Sequence, residues 1–214
     1  MRKYTIIAVS IIWVTVVLRL CLDVYWSVSL GTGAVYGLLK FITAFTSLAN
    51  ILIGLTLTAS LVEFKSPVLR VFARASVLGC AVTYITVMAG VFALLIAPTS
   101  PSVGLQRIVG GFLHGFNPVV FLAYWFFVAP KRRLKTVHAF VWPVGAIVYF
   151  ALILIRGAAT GIYPYPFVDA GAIGYSQVAL NAALLLGVFI AIGLSVVAID
   201  RWVLWGAPAG HDGR

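Results

Sequence analysis

Six long apolar segments, separated by short stretches that carry most of the charged residues, make up nearly the whole chain. They can be placed at roughly 4–26, 36–62, 71–97, 107–129, 138–160 and 172–200. Each exceeds the 18 to 20 residues or so that a helix needs to cross the hydrocarbon core of a bilayer. None of the segments keeps the alternation of period two that is typical of strands. The pattern therefore predicts an all-α, polytopic integral membrane protein, a bundle of six transmembrane helices.

Polar or small residues inside the second segment recur at helical spacing. In 36–62 they are Lys40, Thr43, Ser47, Asn50 and Gly54, three or four residues apart. On one continuous helix these positions form a single face, and we expect that face to point into the bundle because lipid disfavours polar groups.

The fourth and sixth segments carry polar residues of their own. The fourth holds His114 and Asn117 on one turn, with Pro118 weakening the backbone hydrogen bonding there, and the sixth holds Asn181. With a rise of about 1.5 Å per residue, Thr43, His114 and Asn181 all lie about 10 to 13 Å below the same membrane surface. The sequence therefore predicts that these residues form one polar site in the outer half of the membrane.

The composition predicts that the chain lies in lipid, and the distribution of its basic residues predicts its orientation in the membrane. Of the 214 residues 63% are hydrophobic and 9% charged, and the mean hydropathy is +1.10, which excludes a soluble domain of this size. The positive-inside rule explains the net charge of +10 without nucleic acid and predicts that both termini are cytoplasmic. On that orientation eleven of the fifteen basic residues lie inside: Arg2, Lys3, Lys65, Arg70, Arg74, Lys131, Arg132, Arg133, Lys135, Arg201 and Arg214. We expect one transmembrane domain over 1–205 and a short flexible tail over 206–214.

The loop after the fifth segment, "RGAATGIYPYPFVDA", concentrates unusual chemistry in a few residues. It begins at Arg156 and contains Tyr163, Tyr165, Phe167 and Asp169. We interpret it as a rigid cap over the mouth of a pocket, with the Arg156 cation beneath it. A plain alternative is an interfacial aromatic belt on a proline-stiffened segment.

Structural explanations also exist for the other polar positions. Thr43 can bond the backbone of its own helix, and His114 can make an interhelical hydrogen bond without chemistry. The arginines, including Arg107, can reach up to the headgroups. His138 and His211 lie too far from His114 to form a metal site, and no cofactor is expected.

Three motifs resemble the androgen-induced membrane protein family and its six-pass bacterial relatives. They are "LKFITAF" in the second segment, "LHGFNP" in the fourth and the arginine–glycine pair followed by "YPYPF" after the fifth. The resemblance spans most of the chain and implies hydrolysis of fatty acid esters, with Thr43 as nucleophile and His114 as base. The animal motif has two histidines three residues apart, so its catalytic histidine aligns with either His114 or Asn117.

In the chemistry that the resemblance implies, Thr43 attacks an ester carbonyl and an imidazole accepts its proton. Asn50, Asn117 or Asn181 would donate hydrogen bonds to the oxyanion, and Lys40, Arg107 or Arg156 would bind a fatty carboxylate. The partners expected are membrane lipids or fatty acyl esters, in the plasma membrane of a bacterium. A lipid-binding or structural protein without catalysis, and a small transporter, are the alternatives. The sequence does not decide the oligomeric state.

Overall fold

The computed structural model describes residues 2–61, 67–98 and 103–203, and all regular secondary structure within these ranges is helical. The predicted tail at 206–214 lies outside the described residues. The α-helices are α1 Arg2–Ser29, α2 Ala34–Ile42, α3 Phe45–Leu61, α4 Pro67–Phe72, α5 Ala75–Val91, α6 Gly104–Gly111, α7 Asn117–Phe127, α8 Thr136–Val141, α9 Pro143–Thr160 and α10 Ala170–Trp202. Two π-helical turns, Phe92–Ile96 and Phe112–Phe116, extend α5 and join α6 to α7.

The helices are long and apolar enough for a multi-pass membrane protein. Five continuous segments can cross a bilayer: Arg2–Ser29, Ala75–Ile96, Gly104–Phe127, Thr136–Thr160 and Ala170–Trp202. A sixth crossing exists if α2 and α3, which meet at an angle of 66°, are counted as one bent span. The six apolar segments of the sequence therefore correspond to five continuous candidate spans and one broken helix pair.

The prediction of one continuous helix over 36–62 is wrong. α2 ends at Ile42, and Thr43 caps it with φ −97° and ψ 0° before α3 begins at Phe45. Lys40 therefore belongs to a different helix from Ser47, Asn50 and Gly54, and these residues do not form one face.

Helix α1 lies along both halves of the broken pair. A Cβ on Gly37 would come within 2.6 Å of the Val24 Cα, so α1 and α2 approach closely at this glycine. Beside it Arg19 Nε lies 2.7 Å from Asp23 Oδ2, one helical turn further along α1. Lys40 Nζ lies 3.7 Å from the other Asp23 oxygen, so the carboxylate connects α1 with α2. A buried apolar cluster, with Ile12, Ile53, Ile85 and Phe121 among its members, fills the centre of the bundle.

The π-helical turn before α7 follows from Pro118. Asn117 donates its N–H to the Phe112 carbonyl, five residues back, and at the next position the proline has no N–H to offer Leu113. Asn50 Nδ2 supplies the missing donor at 3.2 Å from the Leu113 oxygen. A backbone carbonyl without a partner is costly inside a membrane, so this asparagine stabilises the irregular turn.

Candidate functional site

Four residues from distant parts of the chain meet at the break between α2 and α3. They are Thr43, Tyr149, Arg156 and Tyr165, which we call the Thr43 network. Arg156 Nη1 donates to Thr43 Oγ1 at 2.8 Å, and the same hydroxyl donates to the Leu39 carbonyl at 2.6 Å. The Thr43 hydroxyl therefore makes the hydrogen bond to its own helix expected of a membrane threonine, and in addition contacts a cation.

The two tyrosines bond the backbone groups that the break leaves without helical partners. Tyr149 donates its hydroxyl to the Thr43 carbonyl at 2.9 Å, and the Phe45 N–H donates to the Tyr165 hydroxyl at 3.2 Å. The two phenol oxygens lie 3.4 Å apart. Because unpaired backbone groups are expensive in hydrocarbon, the tyrosines make the break compatible with a membrane.

The cap loop, residues 161–169, is held against the bundle at three points. Tyr163 lies on Gly157 of α9, where an added Cβ would overlap the phenol ring. Asn181 Nδ2 donates to the Phe167 carbonyl at 2.8 Å. Asp169 Oδ1 accepts from the Ala172 N–H at 3.1 Å and so caps the N-terminus of α10. These contacts hold the loop against α9 and α10, and a 3₁₀ turn at Pro166–Val168 lies inside it.

An apolar cavity of about 310 Å³ lies beneath this loop, between α5, α9 and α10. Tyr149 and Tyr165 line it, so the Thr43 network and the cavity share two side chains. Tyr165 and Phe167 stack with ring centroids 5.3 Å apart at the covered end of the cavity. Most other walls are aliphatic or aromatic, and they include Met88, Phe92, Ile153, Leu186 and Phe189.

His114 lies elsewhere than the Thr43 network. Its Nδ1 is 3.0 Å from the Met88 sulfur, and its ring stacks on Phe92 at a centroid distance of 3.5 Å. Both partners line the cavity, but His114 is not among the lining residues. The structure shows no hydrogen bond between His114 and Thr43 within the described part of the chain, so their action as a pair stays a prediction.

The remaining predicted site residues fall into separate groups. Asn50 and Asn117 are fully buried and joined by a hydrogen bond of 2.9 Å, and Asn117 also donates to Thr15 Oγ1 at 2.9 Å. Lys40 belongs to the ion cluster around Asp23, and Arg107 is exposed at the start of α6. The structure therefore brings Thr43, Arg156 and Tyr165 together and places the asparagine pair in the packed interior.

Tyr149 is the member of the network that sequence reasoning missed. It is the one hydroxyl-bearing side chain in the apolar run "PVGAIVYFALILI" of the fifth segment. A phenol within such a run must find a hydrogen-bond partner, which was the available signal, but its partner is 106 residues away.

Comparisons with family models, with curated proteins and with solved structures give no match to this chain. The resemblance to the androgen-induced membrane protein family therefore depends on the three sequence motifs alone.

Proposed function

We propose that this membrane protein binds a fatty acyl amphiphile, with the acyl chain in the cavity and an anionic head at Arg156 and Thr43. The observation that carries the proposal is the hydrogen bond from the half-buried Arg156 guanidinium to Thr43, whose carbonyl is bonded by Tyr149, a residue of the cavity lining. The cavity volume lies at the lower end of the usual range for small-molecule sites.

The charge at this site favours an anionic ligand. Among the described residues no carboxylate lies within salt-bridge distance of Arg156, whose one side-chain partner is the neutral Thr43 hydroxyl. A guanidinium has five N–H donors and binds a carboxylate through two of them in parallel. A cation in this setting gains most from a ligand that brings the opposite charge.

The test compares a fluorescent long-chain fatty acid with its methyl ester on the purified protein. Arg156→Ala should weaken binding of the acid about 10- to 100-fold, because a charge-assisted hydrogen bond is lost, and should leave the ester unchanged. Arg107→Ala removes an exposed cation on another helix and is the matched control. Equal affinities of the acid for Arg156→Ala and the unaltered protein would contradict the proposal.

A second pair of variants tests the place of the acyl chain. Ala182 lines the cavity, whereas Ala179 is exposed on the same helix and does not line it. Ala182→Phe should fill the cavity and weaken binding of both the acid and the ester, and Ala179→Phe should weaken neither. If the two variants bind alike, the acyl chain lies outside this cavity.

Ester hydrolysis is the second candidate function, and the position of the Thr43 hydroxyl favours it. The hydroxyl borders the break in the helix pair and accepts a hydrogen bond from Arg156, a cation that would also stabilise a developing oxyanion. In this reaction Thr43 Oγ would attack the ester carbonyl while His114 takes its proton and passes it to the leaving alcohol. Water would then hydrolyse the acyl-enzyme, which releases the fatty acid and restores the Thr43 hydroxyl.

Single and double variants decide between binding and hydrolysis. Thr43→Ala and His114→Ala should each remove nearly all ester hydrolysis, and the double variant should be little worse than either, because members of one catalytic unit are not additive. Thr43→Ser retains the hydroxyl and should retain activity. If hydrolysis persists in Thr43→Ala and fatty acid binding is lost in Arg156→Ala, hydrolysis by Thr43 is contradicted and only the binding function is supported.

A further inference from the structure

The loop between α7 and α8 folds around the end of α10. Arg132 N–H donates to the Asp200 backbone carbonyl at 2.9 Å. The amides of Arg133 and Leu134 both donate to Asp200 Oδ2, at 2.9 and 2.8 Å. Asp200 is 1% exposed, so its negative charge is directed at backbone groups inside the protein and not at solvent.

One of the four cations in this loop is also internal. Lys131 is fully buried, and its ammonium donates to the Trp125 carbonyl and, at 2.8 Å, to the Ala129 carbonyl near the end of α7. It also lies 4.7 Å from the centroid of the Trp125 ring. Lys131 therefore holds the end of a helix and is not available to a ligand.

The other basic side chains around Asp200 are exposed. We call them the Asp200 surface: Arg132, Arg133, Lys135 and Arg201. Arg201 donates to Thr136 Oγ1 at 3.0 Å, which joins α10 to the start of α8. The described residues contain two other acids, Asp23 and Asp169, and both are engaged at other sites, Asp23 between α1 and α2 and Asp169 as the cap of α10. The exposed charge of the Asp200 surface is consequently all positive.

Arg132 adopts a backbone conformation that its side chain disfavours. Its φ is +65°, in the left-handed region that glycine occupies without a steric cost. The hydrogen bond from its N–H to Asp200 holds it there, and the strained turn keeps the arginine side chain exposed next to Arg133. A strained arginine where glycine would fit better points to a function for the guanidinium.

We infer that the Asp200 surface binds the phosphate of anionic phospholipids in the adjoining leaflet. The loop joins the ends of two spans, and Trp202, 84% exposed on the last turn of α10, is the kind of side chain that lies at the headgroup level. Arginine matches phosphate through paired N–H donors, and each basic residue at a membrane surface strengthens binding to anionic lipid about fivefold.

Native mass spectrometry of the full chain tests the inference. The protein is equilibrated with equimolar phosphatidylglycerol and phosphatidylcholine in detergent, and the lipids retained are counted. Phosphatidylglycerol should predominate on the unaltered protein. Arg132→Gly and Arg133→Gln should each lower that preference about fivefold, whereas Arg107→Gln, at the opposite end of its span, should leave it unchanged.

Arg132→Gly also separates binding from folding. Glycine relieves the strained φ, so this variant should unfold at a higher temperature while it retains less phosphatidylglycerol. Equal retention by Arg132→Gly, Arg133→Gln and the unaltered protein would overturn the inference, and so would an equal loss in Arg107→Gln. Displacement of the lipid by millimolar glycerol phosphate would also overturn it, because a free phosphate would then suffice. Fatty acid binding at Arg156 is independent of all these outcomes.

Discussion

Asn50 connects three helical elements through its side-chain hydrogen bonds. Its Nδ2 donates to the Leu113 carbonyl in the π-helical turn and to the Thr46 carbonyl of its own helix, while its Oδ1 accepts from Asn117. Through Asn117 the chain of bonds continues to Thr15 on α1. Both asparagines are fully buried, so the bond between them and the bond from Asn50 to Leu113 form away from lipid and water.

Asn50→Leu should destabilise the protein without abolishing its fold. The change removes an interhelical hydrogen bond to Asn117 and leaves the Leu113 carbonyl without its side-chain donor, which should lower the free energy of unfolding by about 1 to 3 kcal/mol. Thr56→Val is the matched control, because Thr56 is equally buried but bonds only within its own turn. Unfolding in denaturing micelles measures the free energy of unfolding of both variants. Equal losses in the two variants would show that the asparagine cluster adds no interhelical stability.

Lys131 makes the stability depend on pH. Burial lowers the pKa of its ammonium below the ordinary value, while Asp200 raises that pKa part of the way back. Between this lowered pKa and the unfolded value of about 10.4, the unfolded chain binds more protons than the folded one. The free energy of unfolding should therefore rise with pH through that window.

Lys131→Met should remove this pH-dependent contribution, and Lys135→Met, at an exposed position, should retain it. Thermal unfolding between about pH 8 and pH 10.5 measures the slope in each case. If stability changes with pH equally in Lys131→Met and Lys135→Met, groups other than Lys131 cause the pH dependence.

At the scale of the elements, the break between α2 and α3 and the cap loop form one unit. Tyr165 belongs to the loop and bonds the first amide of α3, and Tyr163 of the same loop lies against Gly157 on α9. A change that lifts the loop should therefore alter the break as well, although the two are far apart in sequence.

Gly157→Ala tests this coupling. The added methyl group overlaps the Tyr163 ring, so we expect the loop to shift and fatty acid binding to weaken about tenfold or more. Gly110→Ala, at a helical position with open space around it, should leave binding unchanged and stabilise its helix slightly. Hydrogen exchange of the Phe45 amide should also accelerate in Gly157→Ala. Unchanged exchange there would show that the loop and the break move independently.

At the scale of the whole molecule, the bent pair decides the topology. If α2 and α3 together cross the membrane once, the chain crosses six times and its two ends lie on the same side. The distribution of the basic residues then predicts that this side is the cytoplasm.

A reporter that is active only in the cytoplasm tests this topology when it is fused after Trp205. We expect full activity there and none for a fusion in the cap loop after Gly161. Activity at both positions, or only in the cap loop, would contradict the six-span orientation.

Much of the architecture was predictable from the sequence by itself. Lipid offers backbone groups no hydrogen-bond partners, so apolar runs of sufficient length form helices over most of their length. Short-range side-chain pairs are predictable once a helix is predicted. Arg19 and Asp23, for example, lie one turn apart on a helix that the hydropathy predicts. Arg156 and Thr43 also stand out in the sequence as polar groups that lipid should exclude.

The break at Thr43 was decided by the tertiary structure alone. The run 36–62 is uniformly apolar around its polar positions, and the tyrosines that bond the exposed backbone groups come from 106 and 120 residues away. Arg156 likewise reaches Thr43 across 113 residues. Periodicity reports on neighbours within a few turns of one helix, whereas a break is stable only when distant side chains supply the lost hydrogen bonds. The sequence thus determined the long apolar helices, and the packing of these helices determined where the run 36–62 breaks and which side chains meet at the break.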